Sequence, residues 1–88
     1  MSSTISLHVG VEELLPPTFT QSVIVKSISV HEGDRISCEM MHISTSEEWK
    51  TKFIGDSLEV NSDSYVILAI NPRNQHEKAN VVIQLKDH

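Results

Sequence analysis

Apolar side chains fall at every second position over several stretches of this chain. Ile5, Leu7, Val9 and Val11 alternate with Thr4, Ser6, His8 and Gly10, and a period of two predicts a half-buried strand over residues 4–11. The pattern breaks over 12–17, where Pro16 and Pro17 lack backbone donors and hold Leu15 extended, so no sheet is expected to run on through them. A long strand fits residues 19–30, but its apolar phase moves from Val23 and Val25 to Ile28 and Val30, with Ile24 joining the second phase early. Either the middle of that strand is covered on both faces, or a bulge near Lys26-Ser27 shifts the register by one residue. His31-Glu32-Gly33-Asp34 reads as a turn in which Gly33 supplies a positive φ. Residues 35–44 then return as a third strand paired with the second, with Ile36, Cys38 and Met40 on one face and Met41 and Ile43 on the other.

Residues 45–53 fit two patterns. Thr45 followed three positions later by Glu48 is a capping box, which would open a short helical turn near residues 46–49. The favoured reading is a strand, with Trp49, Thr51 and Phe53 inward and Lys50 and Lys52 outward, because Thr51 is β-branched and the run leads straight into Ile54-Gly55-Asp56. Leu58 and Val60 form a short alternating piece. Residues 65–70 carry no polar group except the tyrosine hydroxyl: Val66, Leu68 and Ile70 share one face and Tyr65, Ile67 and Ala69 the other, so both faces are expected to be covered. After a polar loop over 71–80, Val81, Ile83 and Leu85 mark a closing strand antiparallel to that core strand. The sum is an all-β single domain over residues 1–88, a small antiparallel sandwich or partly open barrel of five to seven strands.

Composition narrows the function classes. Formal net charge is −5, and the seven Lys and Arg residues are scattered, whereas duplex nucleic acid calls for a concentrated basic face. Cys38 is the single cysteine, which excludes an intrachain disulfide and reads as a small core hydrophobe. The start of the chain has neither a basic region nor an apolar run of signal length, and no stretch approaches the roughly 20 apolar residues of a membrane helix, so a cytoplasmic protein is expected. His8, His31, His42, His76 and His88 match no metal-ligand spacing, and Gly10, Gly33 and Gly55 stand apart, so neither a metal nor a phosphate-bearing cofactor is expected.

Gly55-Asp56-Ser57-Leu58, preceded by Phe53-Ile54, resembles the nucleophile block of the GDSL family of lipases and esterases. That resemblance implies an attacking serine at Ser57. In the family, oxyanion-hole Gly and Asn blocks follow in a much longer chain, with an Asp-x-x-His pair near its end. Here thirty residues follow Leu58, no Gly-x-Asn-Asp occurs, and Asp87-His88 has a different spacing. A serine without a base and an oxyanion hole is not activated, so the block reads as a turn between strands and no enzymatic activity is expected.

Two function classes survive. The first is a non-catalytic protein-binding or scaffolding module of the kind found among bacterial and phage accessory proteins, with Arg73, Asn74, Gln75, His76, Glu77 and Lys78 of the polar loop as the contact. Serine- and threonine-rich outer faces with few edge prolines add the expectation of strand pairing between two copies, a homodimer. The second is single-stranded nucleic-acid binding, with Trp49 and Phe53 as a stacking platform and Lys50 and Lys52 following the backbone. That version requires an exposed Trp49.

Overall fold

A computed structural model describes residues 4–16, 18–60, 62–73 and 78–86. Its strands are β1 (Thr4–His8), β2 (Glu12–Leu15), β3 (Gln21–Val30), β4 (Ile36–His42), β5 (Glu47–Phe53), β6 (Ser57–Val60), β7 (Asp63–Asn71) and β8 (Asn80–Leu85), with one 3-10 turn at Glu32–Asp34. They form two antiparallel four-stranded sheets, one in the order β1-β8-β7-β6 and the other β2-β3-β4-β5. The architecture is a sandwich and not a closed barrel. Among the described residues, no helix is long and apolar enough to cross a membrane.

The inward side chains of both sheets meet in one core. Leu7, Ile67, Ile70, Val81 and Ile83 come from the first sheet and Leu15, Val23, Val25, Cys38, Met40 and Trp49 from the second. Tyr65 ties the layers together: its buried ring sits among these residues and its hydroxyl donates to the Pro16 carbonyl. Burial also raises the phenol to about 12, with Asp63 adding repulsion of the phenolate.

Three bulges set the phase of the sandwich. Pairing between β3 and β4 slips between Val25 and Ser27, which accounts for the odd-to-even change in the apolar pattern of β3. In β7 the slip falls between Ile67 and Ala69, so Leu68 is pushed out to 44% exposure while Ile67 and Ile70 both face inward. The core strand is therefore buried on one face, not two. The third bulge lies between β4 and β5, where Cys38 pairs with Lys52 and Met40 with Trp49. Three steps along β5 match two along β4, so the face reverses between Trp49 and Lys52. Trp49 points into the core as expected, Thr51 is exposed, and Phe53 lies opposite Ser37 on the face away from the core.

Three further sequence expectations are corrected. β2 is an eighth strand inside the stretch read as broken; Pro16 removes donors only beyond Leu15, whose pairing with Gln21 is the last of that ladder. Val11 is 46% exposed because the chain turns at Gly10 (φ +82) and crosses between sheets, with the Gly10 N–H donating to the Val25 carbonyl at 2.9 Å. No helical turn forms at residues 46–49. Ser46 takes φ +61 in a turn closed by its N–H on the His42 carbonyl (2.8 Å), and β5 starts at the next residue.

Candidate functional site

The turn after β3 and the end of β5 meet at one rim of the second sheet. Gly33 (φ +75) and Asp34 (φ +59) are both left-handed, which folds the chain back tightly enough for the His31 N–H to reach the Arg35 carbonyl at 2.6 Å. Arg35 is thereby carried over the Phe53 ring, its guanidinium carbon 4.3 Å from the ring centroid. His31 approaches the same ring, with centroids 5.8 Å apart and planes tilted by 52°, and its Nε2 lies 2.7 Å from Ser37 Oγ. The serine is buried as a result. Cation–π contact of this kind contributes about 0.5 to 1 kcal/mol at exposed sites, enough to orient the guanidinium without removing it from water.

Beside the ring, Asp34, Arg35, Ile36, Phe53 and Ile54 line an open concavity of about 330 Å³. Ile54 is 59% exposed, while Ile36 is half-buried and packs against the core. The floor is apolar and the wall carries one cation and one anion. The crossover that follows is pinned to β7: the Gly55 N–H donates to the Ile67 carbonyl (2.8 Å) and the Ile67 N–H to the Asp56 carbonyl (2.9 Å). The Asp56 carboxylate accepts the Phe53 N–H at 2.7 Å, which fixes the end of β5 and with it the Phe53 ring.

This crossover contains the Gly-Asp-Ser-Leu block. Gly55 and Asp56 make the turn just described, Leu58 is in the core, and the Ser57 hydroxyl accepts a hydrogen bond from Lys86 Nζ at 2.5 Å. Each residue of the block is accounted for as the link between two sheets.

The residues singled out from the sequence are distributed differently. Trp49 is 8% exposed and lies stacked against His42, with ring centroids 6.5 Å apart, so it has no open face for a base. Phe53 is half-buried on the opposite face of the sheet, Lys52 is half-buried opposite Cys38, and Lys50 is exposed. The bulge in β5 thus separates the two aromatics that a stacking platform would have to combine. Of the polar loop, Asn74, Gln75, His76 and Glu77 lie outside the described residues. Arg73 and Lys78 are exposed and, with Val9 and Ala79, line a second concavity of about 380 Å³.

Two buried polar groups have structural explanations. His42 closes one end of the core, with Nε2 at 2.9 Å from Gln21 Oε1 and Nδ1 at 2.9 Å from Thr45 Oγ1. With Nε2 protonated the ring donates to the amide oxygen and accepts the threonine hydroxyl, so both nitrogens are satisfied. The Cys38 thiol is pushed up to about 11 by burial, with Asp56 adding to the rise and Lys52 opposing it, which leaves it protonated and unreactive near neutrality. On the outer face Lys26 joins Glu48 at 2.9 Å and Glu39 at 3.7 Å, an exposed cluster that water and salt screen.

Sequence reasoning paired Phe53 with Trp49 and assigned Arg35 no role. The signal available was Gly33-Asp34 immediately before Arg35, a turn tight enough to fold a long side chain back over its neighbours. Comparison with known protein families, curated proteins and solved structures returns no match.

Proposed function

We propose that this chain is a non-catalytic protein-binding module whose contact surface includes the Phe53 rim. The observation that carries the reading is the composition of that rim: the exposed Ile54 and the Phe53 ring capped by Arg35 line one open concavity together with Asp34 and Ile36. Arginine and aromatic side chains are the types that dominate the energy of protein interfaces, and here the ring and guanidinium are already oriented before any partner arrives. The aspartate beside them supplies a polar edge.

The test is a photoreactive amino acid placed at Ile54 and, as control, at the exposed Glu59 of β6, followed by irradiation in the cells that naturally make the chain. A discrete protein adduct at position 54, absent at 59 and lost when Arg35→Glu is added, is the expected result. The same adducts at both positions, or none at 54, would overturn the assignment. A nucleic-acid adduct at 54 would overturn it in favour of the second function class.

A further inference from the structure

The chain carries a formal charge of −5, so a local pairing of cations stands out against the rest of the molecule. Other cationic side chains have neighbours that explain where they sit. Lys26 joins Glu48 and Glu39, Arg35 caps the Phe53 ring, and Lys86 donates to the Ser57 hydroxyl. Arg73 and Lys78 instead line the same concavity of about 380 Å³ with Val9 and Ala79, and no carboxylate among the described residues lines it with them.

Strand register brings the two cations together. β7 and β8 are antiparallel and Asn71↔Asn80 is the last pair of their ladder, so Arg73 and Lys78 each stand two positions beyond it on facing arms. The Asn71 side-chain amide donates to Asn80 Oδ1 at 3.0 Å across that pair, and Pro72 restricts the backbone between Asn71 and Arg73. The end of β1 supplies the third wall. The Val9 N–H donates to the Ala79 carbonyl at 3.2 Å, and the Gly10 N–H to the Val25 carbonyl at 2.9 Å. Backbone around the concavity is thus held from three strands of the first sheet and one of the second, while Arg73 and Lys78 stay exposed. Like charges brought to opposing positions repel. An anion between them converts that repulsion into charge-assisted hydrogen bonds.

We infer that this concavity binds a small phosphate monoester, with Arg73 and Lys78 on the phosphate oxygens and Val9 and Ala79 against an apolar body. Charge selects the class of ligand. Two cations match a dianion, and a phosphate monoester carries about −1.5 to −2 at pH 7. A nucleic-acid diester carries one charge per phosphate and would leave one of the pair unmatched. The residue types fit as well: arginine offers a fork of donors suited to phosphate, and lysine a compact point charge. The size is that of a small-molecule pocket. This site is built on other strands than the Phe53 rim, and the crosslinking outcome at Ile54 does not bear on it.

The probe is phenyl phosphate, titrated into the full chain labelled with nitrogen-15 and followed by the amide resonances. Saturable shifts are expected at Val9, Gly10, Lys78 and Ala79. Arg73→Gln and Lys78→Gln should each weaken binding roughly tenfold, the loss of one charge-assisted contact. The double variant should bind more weakly still. Both side chains are exposed, so the remaining resonances of these variants should match those of the native chain. Benzenesulfonate, nearly the same shape with one negative charge, should bind several-fold more weakly than phenyl phosphate, and so should inorganic phosphate, which lacks the apolar body. Several results would overturn the inference. One is no saturable shift into the millimolar range, and another is equal shifts near Lys50 and Lys52, which would mean general attraction to cations. A double variant that binds as well as the native chain would remove the site, and benzenesulfonate matching phenyl phosphate would remove the dianion. A short phosphotyrosine peptide binding much more tightly than the free ester would replace the small molecule with a segment of another protein.

Discussion

Cys38 and Phe53 sit on neighbouring strands, and the environment of each decides what it can do. The thiol is enclosed by the core and shifted up from 9.0 to about 11, so it stays protonated at pH values where an unfolded cysteine ionises. Its folded pKa is the higher one, so the native state holds the proton longer. Its contribution to stability is complete below about pH 9 and is lost as pH rises towards 11. Urea unfolding midpoints should therefore fall over that window, and Cys38→Val should remove part of the fall. An unchanged slope in the valine variant would assign the alkaline loss to Tyr65, whose own window begins at 10.0 and extends to about 12. Phe53, by contrast, gains its surroundings from a bulge that turns it out of the core and under Arg35.

At the level of elements, β7 shows how a single slipped residue changes the meaning of an apolar run. Ile67 is fully buried between the sheets, while Leu68 next to it is bulged out to solvent. Ile67→Ala is expected to cost about 3 to 4 kcal/mol, the transfer term plus the cavity left behind. Leu68→Ala is expected to stay within about 0.5 kcal/mol of the native chain, as for a surface position. Chemical denaturation of the two variants compares them directly, and equal losses would place the bulge elsewhere in β7. Gly10 acts between elements, converting one continuous alternating pattern into a crossover that ends β1 and opens β2 in the opposite sheet.

The whole molecule has one core to which both sheets contribute, so neither sheet has an apolar face covered without the other. Unfolding should accordingly be a single cooperative transition. Trp49, the only tryptophan, is buried between the layers, so its fluorescence and far-UV circular dichroism should trace coincident curves. Its emission should be blue-shifted in the native state and indifferent to a mixed-sequence single-stranded oligonucleotide at low salt. A red-shifted emission quenched by the oligonucleotide and restored by salt would instead place Trp49 at a binding surface.

Local chemistry was enough to locate seven of the eight strands and the hairpin from β3 to β4, to offer the bulge at Lys26-Ser27 as one of two readings of β3, and to favour burial of Cys38 and Trp49. Alternation, glycine and asparagine turns and proline all act over a few residues, and each leaves a mark in the chain itself. The sequence did not reveal β2, the outward turn of Leu68 or the meeting of Arg35 with Phe53. A bulge costs one unpaired residue wherever it falls, and its position is chosen by which side chains the opposite sheet can accommodate. That choice depends on contacts between residues far apart in the chain, so the Phe53 rim became visible only once the two sheets were packed together.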